Sequence, residues 1–277
     1  MPSDGSPVMV GFNARLFPSN WRPARREVDF GARRGFAAIQ FPGPEHGLDA
    51  ERLGDEPAAI GRALADAGIT PVMEIVGRLV HGARTATGAS ALDLLRANLP
   101  AIEALGCERV HLHLVYTSAQ RDAAGADAAL PELFAQGVEL ARQHGFRFGV
   151  EHNEPDLRPF GDPHSSAALL AAVPGLGFVF DCNHAPPEQV DAYLALAGRA
   201  TLLHIADTPL PVVNAHLPLG MGSVPLGRYM RALIAGGYGG PAILEIGGLP
   251  ASGGYGRDTD EALLDSAARL REAIAGE

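Results

Sequence analysis

The sequence predicts an α/β protein, a (β/α)8 TIM barrel built as one domain over its 277 residues. Three observations carry this. Eight short β-type runs recur along the chain, stretches of helical periodicity lie between them, and glycine stop signals separate several helices from the next strand. Dividing the length by eight gives about 35 residues per unit, which suits a barrel of roughly 250 residues. No glycine-rich fingerprint follows the first run to favour a doubly wound sheet.

The expected strands are residues 9–13 (MVGFN), 37–41 (AAIQF), 70–75 (TPVMEI), 109–114 (RVHLHL), 147–151 (RFGVE), 176–180 (LGFVF), 201–205 (TLLHI) and 242–246 (AILEI). Helical periodicity appears over 57–67, 91–105, 130–144, 188–197, 226–235 and 260–275. Gly68, Gly106, Gly145 and Gly240 stand where a left-handed C-cap ends a helix and the next strand begins. No linker, low-complexity tract or repeat divides the chain, so 1–277 reads as one domain with a short flexible leader over 1–7.

Composition narrows the chemistry. All 22 basic residues are arginine. The absence of lysine excludes Schiff-base catalysis, a pyridoxal phosphate aldimine and a P-loop lysine. A formal charge of -10 argues against a generic grip on nucleic acid or anionic membrane. Two cysteines, Cys107 and Cys182, and a polar N-terminus without a signal-peptide pattern point to a reducing cytoplasmic setting. No apolar run reaches the roughly 18 residues needed to span a bilayer.

Polar residues at the C-terminal ends of barrel strands carry the most functional weight. The last four strands each place an ionisable group there: Glu151, Asp181, His204 and Glu245. Period-two alternation turns these inward together with Gly149, Val179, Leu202 and Ile243, while Val150, Phe180, Leu203 and Leu244 face the helices. Three carboxylates and an imidazole converging on one mouth repel unless a cation sits among them, and no lysine is available. The mixed oxygen and nitrogen set suits one divalent metal ion, Mn²⁺ first, with Mg²⁺, Co²⁺ or Zn²⁺ as alternatives.

The words around these residues are VEHNEP at Glu151, FDCNHA at Asp181 and His184, LHIADTP at His204 and Asp207, HLPLGMG at His216, and LEIGG at Glu245. In order and spacing the chain resembles the xylose-isomerase-like superfamily, in the sugar isomerase and epimerase branch that includes ketose 3-epimerases, hydroxypyruvate isomerase and inosose dehydratase. The resemblance implies that Glu151, Asp181, His204 and Glu245 hold the metal. It makes Glu151 and Glu245 the acid/base pair and has His184 contact a substrate oxygen. The implied reaction is proton transfer next to a carbonyl, through an enediolate, on a small polyhydroxylated substrate. Dehydration of an inosose or dehydroshikimate type substrate, a lyase reaction, is the alternative.

Further candidates for substrate binding are His113, which shares inward parity with His111, together with Glu74, Gln40, His216 and Trp21. A core role for the histidines, strand-end capping for Glu74 and Gln40, and a cover over the barrel mouth for Trp21 are the competing readings. Trp21 lies near Phe12, Phe17 and Pro18. Asp207 is expected to support the seventh strand's site or its loop, and Cys182 to be an inert buried thiol. Two departures from the family's patterns matter. Asp207-Thr-Pro-Leu-Pro211 stands where hydroxypyruvate-isomerase-like members carry Asp-x-Pro-Gly-Arg, which weighs against small α-keto acids. The abasic-site endonuclease branch needs an Asp-x-His where this chain has Asn214-Ala-His216, and further histidines it lacks. A barrel that binds without catalysis, or serves as one subunit of a larger enzyme, is a third reading. The sequence also permits a homo-oligomer.

Overall fold

The computed structural model describes residues 8–17, 20–117, 120, 122–247 and 258–276. The expected leader over 1–7 and Pro18 lie outside these residues. The chain runs β1 (Met9–Asn13), α1 (Ala24–Arg34), β2 (Ala38–Gly43), α2 (Ala50–Leu53), α3 (Pro57–Ala67), β3 (Thr70–His81), β4 (Arg84–Thr85), α4 (Ala91–Leu105) and β5 (Arg109–Tyr116). It continues through α5 (Ala123–His144), β6 (Arg147–Glu151), α6 (Pro163–Ala172), β7 (Gly177–Asp181), α7 (Val190–Leu194), β8 (Ala200–Ile205), α8 (Leu226–Ala235), β9 (Pro241–Leu244) and α9 (Asp260–Ala275). Parallel pairing proceeds β2-β1-β9-β8-β7-β6-β5-β3, and β2 also pairs with β3, so eight staves close into a barrel. The two-residue β4 pairs antiparallel with the end of β3 and is not a stave.

Strand alternation divides the apolar residues as the sequence requires. Ala38, Val72, Val179, Leu202 and Ile243 form a separate cluster inside the barrel. Val150, Phe180, Leu203 and Leu244 join the larger core between strands and helices. Gly68, Gly106 and Gly145 end α3, α4 and α5 in the left-handed conformation, at φ 65°, 75° and 77°. Gly240 does not: α8 stops at Ala235, and Gly237, at φ 92°, makes the turn before β9. Among the described residues no helix is long and apolar enough to cross a membrane.

Several elements depart from the sequence reading. Helix α1 was not expected because ARREVDFGARR offers few apolar residues; its buried Glu27 is held by Arg15 and Arg22 at 3.0 and 2.8 Å. Helix α6, PHSSAALLAA, has no clear apolar stripe and is set instead by Asp162, whose side chain accepts from Ser165 N. Helix α5 begins at Ala123, capped by Asp122, and carries Pro131 in its interior, whereas a proline reads as a start signal. Helix α7 is shorter than the expected 188–197. The largest difference is β3, which runs on to His81 because β5 extends beside it, in register as far as Leu79 against Tyr116.

Candidate active site

Glu151 ends β6, Asp181 ends β7, His204 is the penultimate residue of β8, and Glu245 directly follows β9. One donor atom from each lies within 4.8 Å of the others. His204 Nδ1 stands 3.0 Å from Glu151 Oε1 and 3.2 Å from Glu245 Oε2. The sequence placed these four side chains at equivalent strand ends, and the barrel brings them together.

A hydrogen-bond chain orients the imidazole. His204 Nε2 donates to Gln40 Oε1 at 2.9 Å, and the Gln40 amide nitrogen donates to Glu74 Oε2 at 3.1 Å and Glu245 Oε1 at 3.5 Å. Two carboxylates therefore fix which end of the Gln40 amide faces His204. That in turn protonates Nε2 and points Nδ1 at the carboxylates. Asn13, at the end of β1, donates to Glu245 Oε1 at 2.9 Å.

The donor set fits a divalent cation. Glu151 Oε2 and Asp181 Oδ2 are buried without a hydrogen-bond partner among the described residues; the rings of His113 and His184, at 3.5 and 3.2 Å, stand beside them, and a cation would satisfy both oxygens. Three carboxylates and one imidazole nitrogen form an oxygen-rich set without thiolate. In the metal-free protein the two glutamates diverge. Burial raises Glu151, but His113 and His204 overcome it and hold the carboxyl well below the usual range. Burial drives Glu245 well above that range; His204 opposes it, and Glu74, Glu151 and Asp181 add to it. Burial lowers His204, but Glu151 and Glu245 more than reverse that.

His113 lines the cavity above these residues, with Nδ1 at 3.4 Å from Glu74 and 3.5 Å from Glu151. Its Nε2 donates to Asn153 Oδ1 at 2.8 Å; Asn153 is oriented by giving its amide hydrogens to Leu114 O and Pro159 O at 2.7 and 2.6 Å. In the metal-free protein, against the cost of burial, Glu151 and Glu74 push His113 up to about 10. His111, one pleat deeper, is 2% exposed and meets His204 edge-on at 5.0 Å; burial lowers its pKa. Shared parity thus yields one cavity histidine and one core histidine.

His184 Nδ1 donates to His152 O at 3.0 Å, and Nε2 lies 3.2 Å from Asp181 Oδ2, on the cavity wall. His152 itself accepts from Asp181 N and stacks on Tyr193 at 4.0 Å; burial pushes it down to about 3, so it is neutral. His216 also lines the cavity and donates from Nδ1 to Glu245 O at 2.9 Å, which positions the backbone of that glutamate. Glu74 is 8% exposed and reaches the same cavity. Asp207 accepts from the backbone N–H groups of Thr208, Gly220 and Val224 and so organises the loop after β8. Cys182 is buried, gives its thiol to Ala206 O, and is held well above the usual thiol range by burial.

Trp21 is a correction. Its indole N–H donates to Arg52 O at 2.8 Å, its ring lies over Gly54, and it is not among the cavity-lining residues. The loop after β1 contributes Phe17 and Asn20 to the cavity instead. Asn13, Asn153 and His152 escaped the sequence reading. Asn13 was accessible to the strand-end rule, whereas the other two lie in the loop after β6 and reveal their partners only in the folded chain.

The cavity has a volume of about 380 Å³ and opens at the C-terminal end of the barrel; of the four clustered donors Glu245 lines it, and Glu151, Asp181 and His204 lie buried behind Glu245 and the lining histidines His113 and His184. Comparison with solved structures returns the same fold. D-allulose 3-epimerase from Methylomonas sp., in complex with D-allulose, is similar at a TM-score of 0.76 and 17% identity, over 97% of this chain and 98% of that one. L-ribulose 3-epimerase is similar at 0.78 and 16%, over 97% and 95%. The IOLI protein with a bound zinc atom is similar at 0.75 and 14%, over 96% and 98%. No curated protein matches the sequence. A family model described as xylose isomerase-like TIM barrel matches residues 28–273, and with nearly the whole chain matched, this protein belongs to that family.

Proposed function

We propose that the protein is a divalent-metal-dependent isomerase or epimerase of a sugar or sugar-like hydroxy-ketone. The carrying observation is that Glu151 and Glu245 both stand beside His204 Nδ1, at 3.0 and 3.2 Å, with Glu245 lining a cavity large enough for a small polyol. The fold's likeness to structures of two ketose 3-epimerases supports the reading. A divalent cation, Mn²⁺ first, held by Glu151, Asp181, His204 and Glu245, supplies Lewis-acid polarisation of a carbonyl and its neighbouring hydroxyl.

The rest falls to the chain. One glutamate removes the proton beside the carbonyl and the other returns a proton from the opposite side, giving epimerisation; one glutamate moving the proton between adjacent carbons gives isomerisation. His113 and His184 line the cavity where they contact substrate oxygens, His184 through Nε2 because its Nδ1–H is held by His152 O. Phe17, Val115, Leu157 and Ile246 give the cavity apolar walls that limit water around the reacting carbon.

The test is incubation of metal-loaded protein with ketoses and cyclic hydroxy-ketones in D₂O. Glu151→Gln and Glu245→Gln are each expected to abolish deuterium uptake, a loss on the order of 10²-fold or more, with an unchanged circular dichroism spectrum. Retained exchange in both variants overturns the assignment. A product lighter by one water identifies the dehydratase instead.

A further inference from the structure

The extension of β3 beyond the barrel carries a residue that the proposed reaction does not use. Glu74, Val76 and Arg78 alternate with Ile75, Gly77 and Leu79 along this strand. Ile75 and Leu79 are fully buried, and a Cβ on Gly77 would stand 2.6 Å from Leu114 and 2.8 Å from Leu94, so that face is pressed against the core. The opposite face, with Glu74, Val76 and Arg78, lines the cavity. Among the described residues Arg78 is the one arginine there. It pairs in register with Val115 of β5, and β4 closes the strand's far end, so its backbone is held by a sheet.

Arg78 is exposed at the cavity wall and, among the described residues, pairs with none of the acidic residues Glu74, Glu154, Glu245 and Asp258 that line the same cavity, so its guanidinium is free to meet a ligand. It lies four residue steps along the strand from Glu74, about 13 Å between Cα atoms. A ligand that extends from Glu74 along this face of the strand meets Arg78 at the cavity wall.

We propose that Arg78 receives an anionic group, a carboxylate or phosphate, at the end of the substrate remote from the reacting carbons, so that the site takes an acidic sugar derivative. This inference rests on the proposed function for the orientation of the substrate. The guanidinium fork suits either oxyanion bidentately. The clustered carboxylates disfavour an anion beside them, which sends the charged end to the rim. The position also differs from the loop after β8, where Pro211 stands in place of an arginine.

Calorimetric binding to the metal-loaded protein tests it with ligands that contain no ketone or aldehyde and therefore cannot react: a hexitol, a hexonate, a hexitol 6-phosphate and an amino-hexitol. The wild type is expected to bind the hexonate or the phosphate on the order of tenfold tighter than the hexitol, and Arg78→Met to erase that preference, with Arg78→Lys restoring part of it. The stronger of the two anions identifies the group. Equal affinity for hexitol and both anions, a preference for the amino-hexitol, or an anion preference that survives in Arg78→Met overturns the proposal. Because no ligand reacts, failure here is separate from failure of deuterium exchange.

Discussion

Gln40 leaves His204 one free ring nitrogen. Its carbonyl accepts from Nε2 while its amide hydrogens are committed to Glu74 and Glu245, so a neutral imidazole presents its lone pair only at Nδ1, beside Glu151 and Glu245. Gln40→Leu removes this constraint, and affinity for Mn²⁺ in a chelator competition is expected to fall by about 10–100-fold. Unchanged affinity would show that packing alone orients the ring. The strand-end residues Glu151, Asp181, His204 and Glu245 were legible in the sequence because side-chain direction alternates along any strand, whatever its neighbours. The orienting residues were less so. Asn153 faces His113 only because the loop after β6 folds back on β5, and Trp21 leaves the cavity because its indole finds Arg52.

Close approach of strands constrains the elements as much as their pattern does. Gly11 lies within β1, between β2 and β9, and a Cβ there would stand 2.6 Å from Ala38 O and 2.7 Å from Ile243. A backbone oxygen cannot move aside as a side chain can. Gly11→Ala is therefore expected to cost about 1–3 kcal/mol in urea denaturation, with the loss shared between displaced strand pairing and the inner apolar cluster. Strand and helix positions were legible where apolar residues repeat with one period. They were less legible in α1, where a buried Glu27 needs two arginines from outside the helix, and in the second half of β3, whose pairing partner lies some forty residues further on.

At the scale of the whole molecule, the four clustered donors come from or directly follow four consecutive staves, β6, β7, β8 and β9. A cation bound there would tie the second half of the barrel together and stabilise only the closed fold. Metal at a hundredfold excess over its Kd is expected to add about 2.7 kcal/mol, seen as a raised Tm that EDTA reverses. Asp181→Asn should remove most of that rise; an equal rise in this variant would place the ion elsewhere.

The sequence by itself determined the barrel class, the inward-facing set and the placing of Glu151, Asp181, His204 and Glu245 at the strand ends, because strand period and glycine stops are local properties of the chain. The lack of lysine likewise fixed in advance that no ammonium shares the site. Tertiary structure decided what the chain order cannot encode locally: the register that carries β3 past the mouth and sets Arg78 on the wall, the hydrogen bonds that select the nitrogen His204 presents, and the separation of His113 from His111 into cavity and core. Each depends on residues distant in sequence meeting at a few ångströms, and only closure of the barrel brings them that near.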